Sequence, residues 1–434
     1  MTSRFEMLRL RLFSVRSKKS RDSRAWLCRE FRRVHGAWMA RTPAAIYSVV
    51  DSNWTASVHL KRIPQSPLRS WVRKEQMRTL ESRMILSVLF CTTSLCGADW
   101  TQPTGAQPNR QPQLAVAGKQ VSMTFGSGDA IYFVGSSDSG KTWGKPVLVS
   151  NRGKLSLGMR RGPRIAITKQ ATVITAIAGE KGRGADGDVV AWRSVDQGAT
   201  WSAQIRVNDV TSSAREGLHS MAAGGRNTLF ATWLDLREKG TVLYGSTSLD
   251  GGLTWSANRL VYRSPSGAVC ECCHPTAVVD SDGGIGVMFR NSLDGNRDMY
   301  LVRSSDGGAT FGVATKLGSG NWLLNACPMD GGALVLSPGN ASVSVWRREG
   351  NLYLSNGTDE SLLGPGRQPV IAKTSKGTFL AWTEGRSIRW KIASSSRIQT
   401  LSTEGTFLSL APLPDGGVIL AGERDGGVFV QSIP

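Results

Sequence analysis

The sequence predicts an all-β protein built as a single β-propeller of six or seven four-stranded blades. Short Val/Ile/Ala-rich runs alternate with Gly-rich turns from about residue 112 onward, and no stretch there sustains a helical period. One turn motif recurs four times, starting at Ser136, Ser194, Ser248 and Ser304, so successive copies lie 58, 54 and 56 residues apart. A unit of about 50 residues holding four short strands is one propeller blade.

The chain of 434 residues, 40% hydrophobic, is long enough to bury a large core. Its net charge of +20 would suggest a polyanionic partner if it were spread over the fold. It is not: residues 1–83 hold 19 Lys+Arg against 6 Asp+Glu, a net of +13, which leaves +7 for the other 351 residues. That localisation argues against nucleic acid as a partner. Residues 1–83 read either as sequence upstream of a true start at Met77 or Met84, or as a disordered basic extension.

Residues 84–98, Met84-Ile-Leu-Ser-Val-Leu-Phe-Cys-Thr-Thr-Ser-Leu-Cys-Gly-Ala98, have a basic flank, a short apolar run and a small-residue end, the anatomy of a secretory signal. The run is too short to span a bilayer, so no stable membrane span is expected in the mature chain. Cleavage after Ala98 and a secreted or periplasmic location follow as expectations. A Gln/Pro-rich linker is expected over residues 99–111, and the propeller over 112–434.

The repeated motif is S-x-D-x-G-x-T-W/F, carried by Asp138 and Trp143, Asp196 and Trp201, Asp250 and Trp255, and Asp306 and Phe311. It suits a hairpin turn: the carboxylate accepts from backbone N–H groups, the glycine takes a positive φ, and the aromatic packs back on the sheet. Three further units keep the strand pairs without the motif: Ala341-Ser-Val-Ser-Val-Trp346 with Asn351-Leu-Tyr-Leu354, Gly377-Thr-Phe-Leu-Ala-Trp382 with Ser387-Ile-Arg-Trp390, and Gly417-Val-Ile-Leu-Ala421 with Gly427-Val-Phe-Val430. Seven units result, with the first and last able to share a blade if the ring closes by strand exchange.

The motif is the Asp-box, and with it the chain resembles the sialidase superfamily and its bacterial BNR-repeat relatives. The resemblance implies a sialidase-like propeller acting on an acidic sugar or glycan. It places Arg164, in Gly162-Pro-Arg164-Ile-Ala166, and Arg290, in Phe289-Arg290-Asn291, on the arginines that hold the substrate carboxylate. Arg347 or Arg348 would supply the third, with no means in the sequence of choosing between them. Asp186 would be the acid/base, Asp188 the second choice.

Two departures from the family pattern stand out. His274, in His274-Pro-Thr276, takes the place of the glutamate that polarises the nucleophile. No tyrosine stands where the nucleophile is expected, before Gly377, and Tyr353 lies in an alternating strand that suggests packing. Since a retaining mechanism needs acid, nucleophile and activating base, two readings remain. One is an exported glycoside hydrolase; the other is a catalytically silent propeller that binds a glycan or protein.

After the signal four cysteines remain, Cys270, Cys272, Cys273 and Cys327. An even number in an exported chain favours disulfides between adjacent blades; the alternative is a soft metal held by three cysteines, His274 and Met329. Metal is the weaker reading, since neighbours in Cys-Cys do not easily ligate one ion. His219, in Arg215-Glu216-Gly-Leu-His219, opens its unit as His274 does, and both are candidates to face the channel, with the same caution for Glu216. Nothing in the sequence indicates a nucleotide, flavin or haem cofactor, and it leaves the oligomeric state open.

Overall fold

The computed structural model describes residues 98–100, 104 and 107–434, apart from 183, 215, 338–340 and 358. The basic extension and nearly all of the expected signal therefore lie outside the described residues. Among the described residues every regular element is a strand, and no helix is long and apolar enough to cross a membrane.

The strands form seven antiparallel blades, the first six of them sheets in which the strands run outward in chain order. Their innermost strands are Asn109–Ala117, Arg164–Ile167, His219–Ala223, Thr276–Val279, Gly332–Leu336, Arg367–Thr374 and Thr406–Pro412. In the second blade a two-residue strand, Lys154–Leu155, also pairs with Thr172–Gly179. The seventh blade owns only three consecutive strands; its outer edge is Ala98–Trp100, paired antiparallel to Gly427–Ile433 with Ala98 opposite Val430. The ring thus draws its closing strand from the residues read in sequence as signal end and linker. Closure of this kind leaves no long unpaired edge.

Seven hydrophobic clusters fill the spaces between neighbouring blades. Val173 and Ala191 of the second blade meet Leu229 and Trp233 of the third, while Val121 and Phe125 of the first meet Ile419 and Ala421 of the seventh. Because each blade is covered on both faces, its second strand is buried throughout instead of alternating: Leu229–Asp235 and Ile285–Arg290 are buried at every position.

The Asp-box turns follow the third strands of blades one to four, on the face opposite the one where the innermost strands begin. Asp138 Oδ1 accepts from the Thr142 N–H at 2.8 Å and from Ser136 Oγ at 2.8 Å, and Oδ2 accepts from Thr142 Oγ1 at 2.6 Å. Trp143 Nε1 donates to the Gly140 carbonyl at 3.0 Å. The turn also staples blades together. Gly198, at φ 92°, sits where an added Cβ would lie 2.0 Å from Phe133 Cε1 of the first blade, and Trp201 packs on the same Phe133 with ring centroids 5.4 Å apart.

Candidate functional site

The innermost strands of all seven blades surround a central cavity of about 230 Å³. Its polar lining includes Arg160, Arg164, Ser220, His274, Thr276 and Ser409. The charged groups gather where the innermost strands begin, because Arg164 opens one, His274 and Asp330 precede two others, and Arg290 and Arg347 stand at the ends of the adjacent antiparallel second strands.

Arg290 is 2% exposed and spends its donors on backbone. Nε and Nη2 reach the Asp330 carbonyl at 3.2 and 3.0 Å, Nη2 also reaches the Arg347 carbonyl at 2.8 Å, and Nη1 donates to the Arg297 carbonyl. Arg164 is spent in the same way, on the carbonyls of His219, Gly162 and Pro163 at 3.1 Å each and on that of Arg160. Burial and the neighbouring Arg160 pull its guanidinium down to about 9.

The choice between Arg347 and Arg348 is made by their neighbours. Arg347 turns inward: Nη2 donates to the Pro328 carbonyl at 2.8 Å and Nε lies 3.4 Å from Asp330 Oδ2. Arg348 turns away, forming a two-pronged pair with Glu360 at 2.8 and 2.7 Å over the face of Tyr353. Arg348 therefore does not join the central group, and Tyr353 stacks on Trp346 as a packing residue.

Two members of the centre escaped sequence reading, Arg160 and Asp330. Arg160 is buried, lines the cavity and donates from Nη2 to the Gln368 carbonyl at 2.7 Å; its Nε has no partner. Asp330 is also buried; its Oδ2 accepts from the Gln368 N–H at 2.9 Å and its Oδ1 has no partner. Burial raises the Asp330 carboxyl above its usual range, against the Gln368 N–H and the charges of Arg160, Arg347 and Arg290. The Arg-Arg pair at 160–161 and the Asp-Gly-Gly at 330–332 are faint signals for either role.

Asp186 is placed elsewhere. Its carboxylate accepts from the N–H groups of Glu180 and Lys181 at 3.0 Å each, and the Glu180 N–H foremost holds it below the ordinary aspartate range. Its own loop favours the ionised form, and Asp186 is not among the residues lining the cavity. Asp188 accepts from Asn208 Nδ2 and the Ser212 N–H, also a loop-bracing role. Glu216 is drawn to Arg161 at 2.8 Å.

His274 lines the cavity, and burial, with Arg160 and Arg164 beside it, keeps its imidazole neutral. His219 does not line it: Nε2 meets Thr175 Oγ1 at 3.1 Å inside the wall, and burial presses its pKa down to about 3. At the expected nucleophile position Gln368 stands in the network instead, and no tyrosine is among the residues lining the cavity.

The expected disulfides are corrected. Cys270, Cys272, Cys273 and Cys327 are all free. Cys270 Sγ lies 3.6 Å from both Cys272 Sγ and Cys273 Sγ, well beyond the roughly 2.05 Å of a disulfide, and Cys327 is exposed and outside this trio. Burial opposes charge on Cys273, yet hydrogen bonds from Cys270 and Cys272, with Arg290 and the Asp330 N–H, hold its thiol well below the ordinary range.

A family model described as a BNR repeat-like domain matches residues 129–384. The chain belongs to this family. No curated protein matches it. Solved structures similar to this BNR repeat-like chain include an alpha-L-arabinanase of Penicillium chrysogenum complexed with arabinobiose, at 13% identity over 78% of this chain and 96% of that one, TM-score 0.45. The NanB sialidase of Streptococcus pneumoniae shares 12% identity over 77% and 70%, TM-score 0.45, and a Hadza microbial sialidase 14% over 73% and 74%, TM-score 0.44. At these identities the likeness is one of fold.

Proposed function

We propose that this BNR repeat-like propeller is an exported protein that binds an acidic glycan at the arginine-rich end of its central channel, without the tyrosine-based chemistry of a sialidase. The observation that carries the reading is Arg160, a buried cavity-lining guanidinium with an unpartnered Nε. With Arg290 and Arg347 it stands around one buried carboxylate, Asp330, and Arg164 lies beside it. An anionic sugar supplies the countercharge, and a guanidinium recognises a carboxylate through paired hydrogen bonds. Export rests on the signal-like residues 84–98.

The hydrolase reading is weaker because among the described residues the centre holds one carboxyl, Asp330, where glycoside hydrolysis ordinarily needs two flanking carboxyls or a substitute nucleophile. Titration calorimetry of the chain from Asp99 with sialyl- and uronate-containing oligosaccharides, beside their neutral counterparts, tests the proposal. Binding of charged ligands only, weakened at least about tenfold by Arg347→Met, is expected. Equal affinity for neutral sugars, or no binding, overturns it, and release of free sugar from a fluorogenic sialoside or uronide returns the hydrolase reading.

A further inference from the structure

The cysteine trio is not used by glycan binding and is built unlike a disulfide. Cys270-Glu-Cys272-Cys273 occupies the loop between the outer strand of the third blade, Arg259–Tyr262, and the innermost strand of the fourth. The loop backbone is pinned by the Cys270 N–H donating to the Arg290 carbonyl at 3.0 Å and by a bridge between Val269 and Asn291. A turn at 271–272 reverses the chain, so Cys270 and Cys273 face each other three residues apart while Cys272 projects beside them.

This turn removes the objection that neighbouring cysteines cannot serve one ion. All three Sγ atoms lie within 4.8 Å of one another, and two of the separations are 3.6 Å. Thiolates at about 2.3 Å from one cation, spread at tetrahedral or trigonal angles, would stand roughly 3.8–4.0 Å apart. The two separations from Cys270 are therefore within a few tenths of an ångström of that spacing, and the third lies within 4.8 Å.

We propose that Cys270, Cys272 and Cys273 form a three-thiolate site for a single soft cation, with copper(I) the best fit, at the rim of the central channel. Among the described residues no histidine, aspartate or glutamate ligand atom joins the three sulfurs. Zinc ordinarily takes four ligands, whereas copper(I) is selected by thiolates. Three thiolates and one monovalent cation carry −2, and the Cys270 N–H is held on the backbone of Arg290, one of the arginines that outnumber the carboxylate of this centre. Cys270 and Cys273 are each 2% exposed and Cys272 is half-buried, so the site has a dry interior and one open side for entry. Loading displaces the thiol protons and involves no change of oxidation state.

The test is anaerobic titration of the reduced protein with copper(I) against bicinchoninate, and separately with zinc(II), followed by X-ray absorption on the loaded sample. One equivalent of copper(I) with three sulfur neighbours at about 2.3 Å is expected. Cys272→Ser, the substitution least demanding on packing, should weaken retention at least tenfold at unchanged circular dichroism, while Cys327→Ser leaves it unchanged. No retention against the competitor, equal retention by Cys272→Ser, zinc bound in place of copper(I), or a mapped Cys270–Cys273 disulfide in protein isolated from an exporting host each overturns the proposal.

Discussion

Arg290 and Asp330 are joined through the backbone: two guanidinium nitrogens of Arg290 converge on the Asp330 carbonyl oxygen, tying the fourth blade to the start of the fifth. The contact makes Arg290 a strut of the ring as much as a source of charge. Arg290→Met leaves several buried carbonyls without donors, each costing about 1–3 kcal/mol. A loss of about 3 kcal/mol or more in chemical denaturation is expected, and Arg290→Lys should not restore it, since an ammonium cannot span the same forked acceptors.

Arg347 and Arg348, equivalent in sequence, should separate in binding. Arg348→Met breaks the pair with Glu360 and the stacking on Tyr353 on the far side of the strand. It should lower the unfolding midpoint while leaving acidic-glycan affinity unchanged, whereas Arg347→Met should lower that affinity and, by unpairing the buried Asp330, the midpoint as well. Equal affinity losses from both would remove the distinction drawn here.

Acid should weaken the fold in two windows. The buried His219 is depressed from 6.5 to about 3. Protons therefore bind the unfolded chain first, and stability present above pH 6.5 falls as pH drops toward 3, by about 1.4 kcal/mol per pH unit for one such group. The Asp138 and Asp196 carboxyls, held to about 2 chiefly by the Thr142 and Thr200 hydroxyls, stabilise above their ordinary 3.8, and that contribution is lost as pH falls from there toward 2. Denaturation midpoints against pH should show His219→Gln flattening the first window and a paired Asp138→Asn, Asp196→Asn variant the second.

The Asp-box glycines should be far less replaceable than ordinary turn glycines. Gly198→Ala combines a positive φ with a clash against Phe133, whereas Gly267→Ala has nearly the same φ, 91°, and nothing within 4 Å. Gly267→Ala should cost about 1 kcal/mol of backbone strain. Gly198→Ala should cost clearly more, visible as a larger fall in the thermal midpoint.

Removal of residues up to Trp100 should likewise lower the thermal midpoint, because Ala98–Trp100 supplies the outer strand of the seventh blade. An unchanged midpoint would show that the three-residue ladder contributes nothing to closure.

The propeller and its Asp-boxes were legible in the sequence because their physics is local. The hydrogen bonds that Asp138 and Ser136 make to shape this turn fall within the eight residues from Ser136 to Trp143, and blade spacing repeats what each blade needs to bury both faces. The central arrangement was legible only in part. Arg164 opens an innermost strand, His274 precedes one and Arg290 ends a second strand, but what each arginine donates to depends on which carbonyls the ring brings within reach. Arg160 meets Gln368 across 208 positions of chain and Asp330 meets it across 38. A guanidinium has five donors and no preference among distant carbonyls, so no local pattern could assign Arg347 inward and Arg348 outward. Likewise the spacing of Cys270, Cys272 and Cys273 was plain in the sequence, but whether their sulfurs meet as a bonded pair or as an open trio was decided by the turn at 271–272 and the wall of the fourth blade behind it.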